Sequence, residues 1–133
     1  MEKVQAILEN ENYVVTIQNG KHTLISDEPE SIGGKDKGMN PHELLCASLA
    51  SCTLATLRMY AERKNWQLGT ILIEVNIKEI NENGTKKAHF LRHIRFEKSL
   101  SNEQRERLKH IADACPVSKI LKSGENIIET HIA

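Results

Sequence analysis

The first third of the chain alternates short apolar runs with turn residues. Three runs rich in Val, Ile, Thr and Tyr cover residues 4–8, 13–18 and 22–26, and Asn19-Gly20 separates the last two. Asn-Gly between β-forming runs is typical of a two-residue hairpin turn, so the pattern predicts an antiparallel meander. Residues 27–40 contain four Gly or Pro and six charged residues, which predicts an exposed loop.

A long apolar helix follows this loop. Asn40, Pro41 and Glu43 supply an N-cap, a proline at the first helical position and a capping-box carboxylate, so the helix is predicted to run from here to about residue 64. Residues 44–61 are apolar or small almost throughout and are interrupted by Arg58. A helix that is apolar on every face is buried on every face. We therefore expect a long buried central helix, covered on one side by a sheet and on the other by a second copy of the chain.

A hairpin is predicted after this helix. Apolar and polar side chains alternate along residues 71–78, Asn83-Gly84 supplies a turn, and residues 88–96 form the return strand. Arg92 and Arg95 on the return strand are interpreted as solvated side chains at an exposed edge.

The end of the chain predicts a broken helix and a last strand. Ser101 and Gln104 form a capping pair for a helix that Pro116 interrupts, and a further turn or two should reach Ser123. Residues 126–132 are predicted to close as a strand. Strands and helices in this order indicate an α+β fold with an antiparallel sheet rather than alternating βαβ units.

Length and charge narrow the class of protein. The 133 residues indicate a single domain covering residues 1–133. With 18 basic and 18 acidic side chains the net charge is zero, so we expect neither a nucleic-acid nor an anionic-membrane partner. No signal peptide and no run of 18 apolar residues is recognised, which favours a cytoplasmic protein without a membrane span.

Three cysteines carry the candidate chemistry. Cys46, Cys52 and Cys115 are an odd number without a CxxC motif, which argues against a disulfide scaffold and a zinc site. His89 and His93 face one side of a strand but have no thiol or carboxylate at ligand spacing. We therefore predict no metal and no cofactor.

Position distinguishes the three thiols. Cys115 directly precedes Pro116, which places its sulfur at a helix N-terminus where free N–H groups favour a thiolate. Cys52 lies far inside its helix and needs a cation or a hydrogen-bond donor from elsewhere. Cys46 and Cys52 are six positions apart, about 240° and roughly 9 Å on a helix, so they cannot pair. A redox pair must join one of them to Cys115, and geometry leaves the choice open.

Glu43 has two possible roles. It precedes Cys52 by nine positions, about 180° and roughly 13.5 Å along a straight helix, so it cannot assist the Cys52 of its own helix. Either it serves only in the capping box, or it reaches the thiol of a second subunit.

Two motifs resemble those of the OsmC/Ohr family of osmotically inducible and organic hydroperoxide resistance proteins. These are NPHELLCASLASC, from Asn40 to Cys52, and ADACPVSKIL, which contains Cys115. The loop IGGKDKGMNP and the helix end TLRMYAERKNW extend the similarity over most of the chain. The resemblance implies an intertwined α+β homodimer with long central helices and with active sites at the subunit interface.

The resemblance also implies roles for individual residues. Cys52 would attack the hydroperoxide, Cys115 would resolve the sulfenic acid as a disulfide, Glu43 would act from the partner subunit, and a dithiol would return the electrons without metal or flavin. Two features depart from the peroxidase branches: His42 stands where their carboxylate follows the proline, and no arginine precedes Arg58. An alternative is a non-catalytic or redox-sensing dimer that binds a small apolar ligand.

Overall fold

The computed structural model describes residues 1–133 and confirms the α+β class with antiparallel sheets. The elements in chain order are β1 (Gln5–Leu8), β2 (Val15–Gln18), β3 (Thr23–Ser26), a 3-10 turn (Glu30–Ile32), α1 (Pro41–Lys64), β4 (Ile71–Glu82), β5 (Thr85–Phe96), α2 (Asn102–Asp113) and α3 (Pro116–Ser123). Two compact units divide the chain, Met1–Leu45 and Cys46–Ala133. The single domain over residues 1–133 stays a prediction.

The first unit contains the predicted meander, with strand order β1-β2-β3. Its second hairpin differs from the prediction, because the last strand pair joins Gln18 to Thr23 and leaves four residues in the loop rather than two. The Asn19 side chain accounts for the longer loop, since its Oδ1 accepts hydrogen bonds from the backbone N–H of Lys21 at 3.0 Å and of His22 at 2.8 Å. Lys21 and His22 are both exposed.

The predicted exposed loop, residues 27–40, is organised around a buried carboxylate. Asp27 is 1% exposed and accepts hydrogen bonds from the backbone N–H of Glu28 at 2.7 Å and of Lys35 and Lys37 at 3.1 Å each. Burial, the largest single influence, raises the pKa of Asp27, but the N–H groups of Lys37, Glu28 and Lys35 outweigh it and the pKa lies below its usual value. The loop is therefore folded around an anion.

Helix α1 starts at the predicted cap. The Asn40 backbone N–H donates to Glu43 Oε1 at 3.0 Å, and the Glu43 N–H donates to Asn40 Oδ1 at 2.9 Å. These two bonds are the reciprocal pair of a capping box. The predicted end at residue 64 is also confirmed.

Within the chain, only one face of α1 is buried. The buried side chains recur at helical spacing: Leu49, Thr53, Leu57, Tyr60 and Ala61. The opposite face is exposed and carries mostly small residues: Ala47, Ser48, Ser51, Ala55 and Met59. By length and composition alone α1 could cross a membrane, with a mean hydropathy of 1.4 over its most apolar window, a property that core helices of soluble proteins share.

Strands β4 and β5 form a twelve-pair antiparallel ribbon in the second unit, from Ile71 opposite Phe96 to Glu82 opposite Thr85. The predicted two-residue turn is confirmed, with φ of 53° at Asn83 and 81° at Gly84, as a type I′ turn requires. All side chains of residues 81–89 are exposed. Only the other end of the ribbon therefore lies against helices.

The core of the second unit lies where the near end of this ribbon meets α1 and α2. Its buried members are Leu57, Tyr60, Ala61, Leu68, Leu108 and Ala112. The partly buried residues Ile71, Ile94 and Phe96 pack against them from the ribbon. The core therefore fixes the position of β5 beside both helices.

The capped and broken helix is confirmed. Ser101 and Gln104 form the capping box of α2, Pro116 is the first residue of α3, and Gly124 follows α3 in the left-handed conformation. The predicted strand over residues 126–132 is wrong. A strand forms only with a ladder partner, and this segment has none, so its isoleucines are almost fully exposed.

Replacement of the buried carboxylate tests the loop. Because the folded pKa of Asp27 is depressed, its stabilisation is present above the unfolded value of 3.8 and is lost as the pH falls through the folded value. Asp27→Asn should lower the free energy of unfolding at pH 7 and have little effect in acid. Urea titrations at both pH values measure this difference, and Asp36→Asn, an exposed position in the same loop, is the control. Equal effects of the two substitutions at pH 7 would contradict the assignment.

Candidate active site

The N-terminus of α3 brings two of the cysteines together. Cys115 is the N-cap residue and Pro116, which has no N–H, is the first helical residue, so Val117 and Ser118 carry the first free donors. The Ser118 N–H donates to Cys115 Sγ at 3.4 Å, and the Val117 N–H donates to Cys52 Sγ at 3.5 Å. The Cys52 side chain is also one of the neighbours that lower the pKa of Cys115. Both sulfurs therefore lie at the positive end of one helix.

The surroundings of Cys115 and Cys52 can be compared with the predictions for these thiols. The predicted position of Cys115 at a helix N-terminus is confirmed, although its side chain is fully buried. Cys52 is half-buried, and the donor that it needs from outside its own helix is the Val117 N–H. Cys46 is half-buried on the same helix. Cys52 and Cys115 are therefore a close pair, with Cys52 the more accessible.

A partly buried guanidinium lies beside this pair. Arg92 Nη1 donates to Thr53 Oγ1 at 3.0 Å and to the Ala112 carbonyl oxygen at 2.9 Å, and Nη2 pairs with Asp113 Oδ1 at 2.9 Å. The distance from Nη1 to Cys115 Sγ is 4.0 Å. The side chain of Arg92 is only 13% exposed, so the interpretation of this residue as a solvated edge arginine is wrong.

Strand parity could have identified this arginine. Phe90, Arg92, Ile94 and Phe96 are the partly buried positions of β5, so the arginine occupies a place in the inward-facing series of apolar residues. Arg95 lies on the other face, is 71% exposed and lies 3.6 Å from a glutamate carboxylate, as expected for a solvated residue. Burying a cation among inward-facing apolar residues is costly unless the cation is paired. An arginine at such a position therefore indicates that acceptors lie nearby.

Thr53 connects Arg92 to Cys115. Its hydroxyl lies 2.7 Å from the Leu49 carbonyl oxygen, one turn earlier on α1, and 3.7 Å from Cys115 Sγ. The hydroxyl accepts from Arg92, and its single proton can go either to the Leu49 carbonyl oxygen or to the Cys115 sulfur.

The surroundings of Cys115 favour its thiolate. Burial, the largest single influence, raises the pKa of Cys115. The Ser118 N–H, the Thr53 hydroxyl, the Cys52 thiol and the charge of Arg92 together outweigh it, so the pKa lies below the ordinary 9.0.

The other predicted site residue lies in the first unit. Glu43 belongs to Met1–Leu45 and is exposed, whereas both cysteines belong to Cys46–Ala133. Its capping-box bonds with Asn40 are present, and a role at a partner's site stays a prediction. No group of three or more His, Cys, Asp or Glu side chains is placed to hold a metal ion.

A family model described as OsmC-like protein matches residues 34–130. The chain belongs to the OsmC-like family. The match includes both cysteines, the helix cap and α3. A search of curated protein sequences finds no match.

Solved structures show the same OsmC-like fold. Organic hydroperoxide resistance protein OsmC from Legionella pneumophila is 21% identical with a TM-score of 0.71, and the alignment covers 92% of this chain and 89% of that one. An OsmC-like protein from Mycoplasma pneumoniae is 23% identical with a TM-score of 0.71, covering 92% and 87%. The organic hydroperoxide resistance protein OhrB of Bacillus subtilis is 23% identical with a TM-score of 0.67, covering 92% and 90%.

Removal of the Thr53 hydroxyl tests the electrostatics of this OsmC-like site. Thr53→Val should raise the pKa of Cys115, because the sulfur loses one hydrogen-bond donor, and should cost about 1 kcal/mol of stability, because Arg92 loses one acceptor. Ultraviolet thiolate absorbance against pH, in a background that lacks Cys46 and Cys52, measures the first effect. Thermal unfolding measures the second.

Thr56→Val is the matched control. The Thr56 hydroxyl makes the same type of bond to the carbonyl one turn earlier, at 2.8 Å, on the same helix. A Cys115 titration that is unchanged in Thr53→Val, or shifted equally in both variants, would refute the assigned contact.

Proposed function

We propose that this OsmC-like protein reduces organic hydroperoxides with the Cys52/Cys115 pair. The observation that carries the proposal is that the two sulfurs share the free N–H groups at the start of α3. A helix N-terminus stabilises sulfur anions, and two thiols held at the same helix N-terminus are candidates for a disulfide. The names of the Legionella and Bacillus relatives support the choice of hydroperoxide as substrate.

Cys52 is the attacking cysteine because it is the more accessible of the two. Its thiolate attacks the terminal oxygen of ROOH, the O–O bond breaks, and RO⁻ leaves and takes up a proton as ROH. The sulfur is oxidised by two electrons to a sulfenic acid. The Val117 N–H, 3.5 Å from this sulfur, stabilises its anion before the attack.

Cys115 is the resolving cysteine. Its thiolate attacks the Cys52 sulfenic sulfur, a disulfide forms, and hydroxide leaves and takes up a proton as water. A dithiol then reduces the disulfide by two successive exchanges and is itself oxidised to a disulfide. Neither a metal nor a flavin takes part in the proposed cycle.

A homodimer completes the proposed site. The face of α1 opposite the buried one is exposed and carries Ala47, Ser48, Ser51 and Ala55, which allow a second helix to approach closely. In such a dimer Glu43 of one subunit would orient groups at the cysteines of the other. Its capping role is compatible with this, because a carboxylate has two oxygens.

Oxidation with one equivalent of an organic hydroperoxide tests the cysteine roles. Mass spectrometry should find a Cys52–Cys115 disulfide in the wild type. Cys52→Ser should consume no peroxide. Cys115→Ser should consume one equivalent and then stop with a sulfenic acid at Cys52, detected by trapping with dimedone.

Cys46→Ser is the control and should keep full turnover with dithiothreitol as reductant. Peroxide consumption that survives in Cys52→Ser, or a disulfide that includes Cys46, would overturn the proposed roles.

Mixed dimers test the role of Glu43. Glu43→Gln keeps a capping-box side chain but removes the charge, so it should fold normally and lose at least about tenfold in kcat/KM, as expected when one positioned catalytic group is removed. Co-expression with the Cys52→Ser chain should restore activity, because the mixed dimer has one site with Cys52 from one chain and Glu43 from the other. Wild-type activity of Glu43→Gln would leave the residue with a capping role only.

A redox sensor is the second candidate function. The complete burial of Cys115 and the lack of an arginine before Arg58 favour it, because both would slow a catalytic cycle. A sensor forms the same disulfide once and then persists in the oxidised state. Steady peroxide consumption with excess dithiothreitol supports the peroxidase, and a single equivalent consumed supports the sensor.

A further inference from the structure

We propose that Arg92 is a positioning residue for the reductive half of the cycle, which makes Cys115 the leaving thiolate so that the reducing dithiol attacks Cys52. The inference rests on the proposed Cys52/Cys115 cycle and adds to it the direction of disulfide reduction. It also assigns a role to an arginine at the site of a chain in which no arginine precedes Arg58.

The hydrogen bonds of the guanidinium fix its place. One nitrogen, Nη1, faces Thr53, the Ala112 carbonyl and the Cys115 sulfur, while Nη2 is held by the Asp113 carboxylate. A planar fork held from both ends has little freedom to turn. Its positive charge is thus fixed beside one of the two sulfurs, Cys115.

The surroundings of the two sulfurs add to this difference between Cys115 and Cys52. Cys115 is fully buried, where a charge is less screened than in water, and Cys52 is half-buried. The Ser118 N–H donates to the Cys115 sulfur at 3.4 Å, and the Thr53 hydroxyl lies 3.7 Å from that sulfur. A negative charge that develops on Cys115 therefore meets three donors or cations, whereas an attacking thiol can approach Cys52 more easily.

In thiol–disulfide exchange, this difference between the two sulfurs determines which one is attacked and which one leaves. The reductant thiolate, RS⁻, attacks the Cys52 sulfur; the S–S bond breaks, and its electron pair leaves on Cys115 as a thiolate beside Arg92. The product is a mixed disulfide between Cys52 and the reductant, whose second thiol then releases Cys52 and closes the reductant's own disulfide. Exchange is faster when the leaving thiol is the better stabilised anion.

The reduction potential of the pair tests the role of Arg92. The disulfide is formed with diamide and equilibrated with dithiothreitol buffers, so no peroxide turnover is needed. Arg92→Met removes the charge that stabilises reduced Cys115, and the equilibrium constant for reduction should fall about tenfold, which is a potential about 30 mV more negative. The rate of reduction by dithiothreitol should fall in parallel.

Arg95→Met, which removes an exposed arginine from the opposite face of the same strand, is the matched control and should leave both values unchanged. Arg92→Lys keeps the charge without the fork and should lie between wild type and Arg92→Met. Equal potentials in wild type and Arg92→Met, both folded by circular dichroism, would overturn the inference.

A measurement on the wild type decides the question if Arg92→Met does not fold. The diamide-oxidised protein is treated with substoichiometric cysteamine, free thiols are blocked, and the mixed disulfide is located by mass spectrometry. Cysteamine on Cys52 supports the inference, and cysteamine on Cys115, or no Cys52–Cys115 disulfide with diamide, overturns it. A protein that passes these tests but consumes no peroxide would overturn the proposed function alone.

Discussion

The candidate site depends on two backbone N–H groups that α3 cannot satisfy within itself. Because Pro116 has no N–H, the first donors of this helix belong to Val117 and Ser118, and each is directed at a different sulfur. One short helix thus holds a thiol from α1 and a thiol from its own cap at a single positive end. Thr53 and Arg92 add contacts to only one of these sulfurs, that of Cys115.

Arg92 adds a second constraint, since a cation that is mostly removed from water must find acceptors. The Ala112 carbonyl belongs to the last turn of α2, where the helix dipole is negative, and Asp113 ends the same helix. The cation therefore lies at the negative end of α2, and the sulfurs lie at the positive end of α3. The short connection between the two helices, through Ala114 and Cys115, brings these opposite ends together and places the guanidinium 4.0 Å from one sulfur.

Local signals in the sequence predicted most of the fold. The caps at Asn40 and Ser101, the Asn83-Gly84 turn and the break at Pro116 each depend on neighbours within four residues, and all are confirmed. Long-range packing explains what was missed. Residues 126–132 have the composition of a strand but no partner strand. Asp27 lies in a predicted exposed loop, and its burial depends on backbone N–H groups up to ten residues away. Strand parity indicates that Arg92 faces inward, but its partners at the end of α2 are long-range contacts that spacing does not reveal.

The two ends of the β4–β5 ribbon differ in their contacts and exposure. At one end Arg92 faces the helices, and at the other, residues 81–89 are exposed on both faces and the turn at Gly84 has open space around it. Exposed tips of this kind tolerate insertions well. The tip is consequently a suitable place to attach a fluorophore or an affinity tag, by which the protein can be followed or immobilised while its thiols remain unmodified.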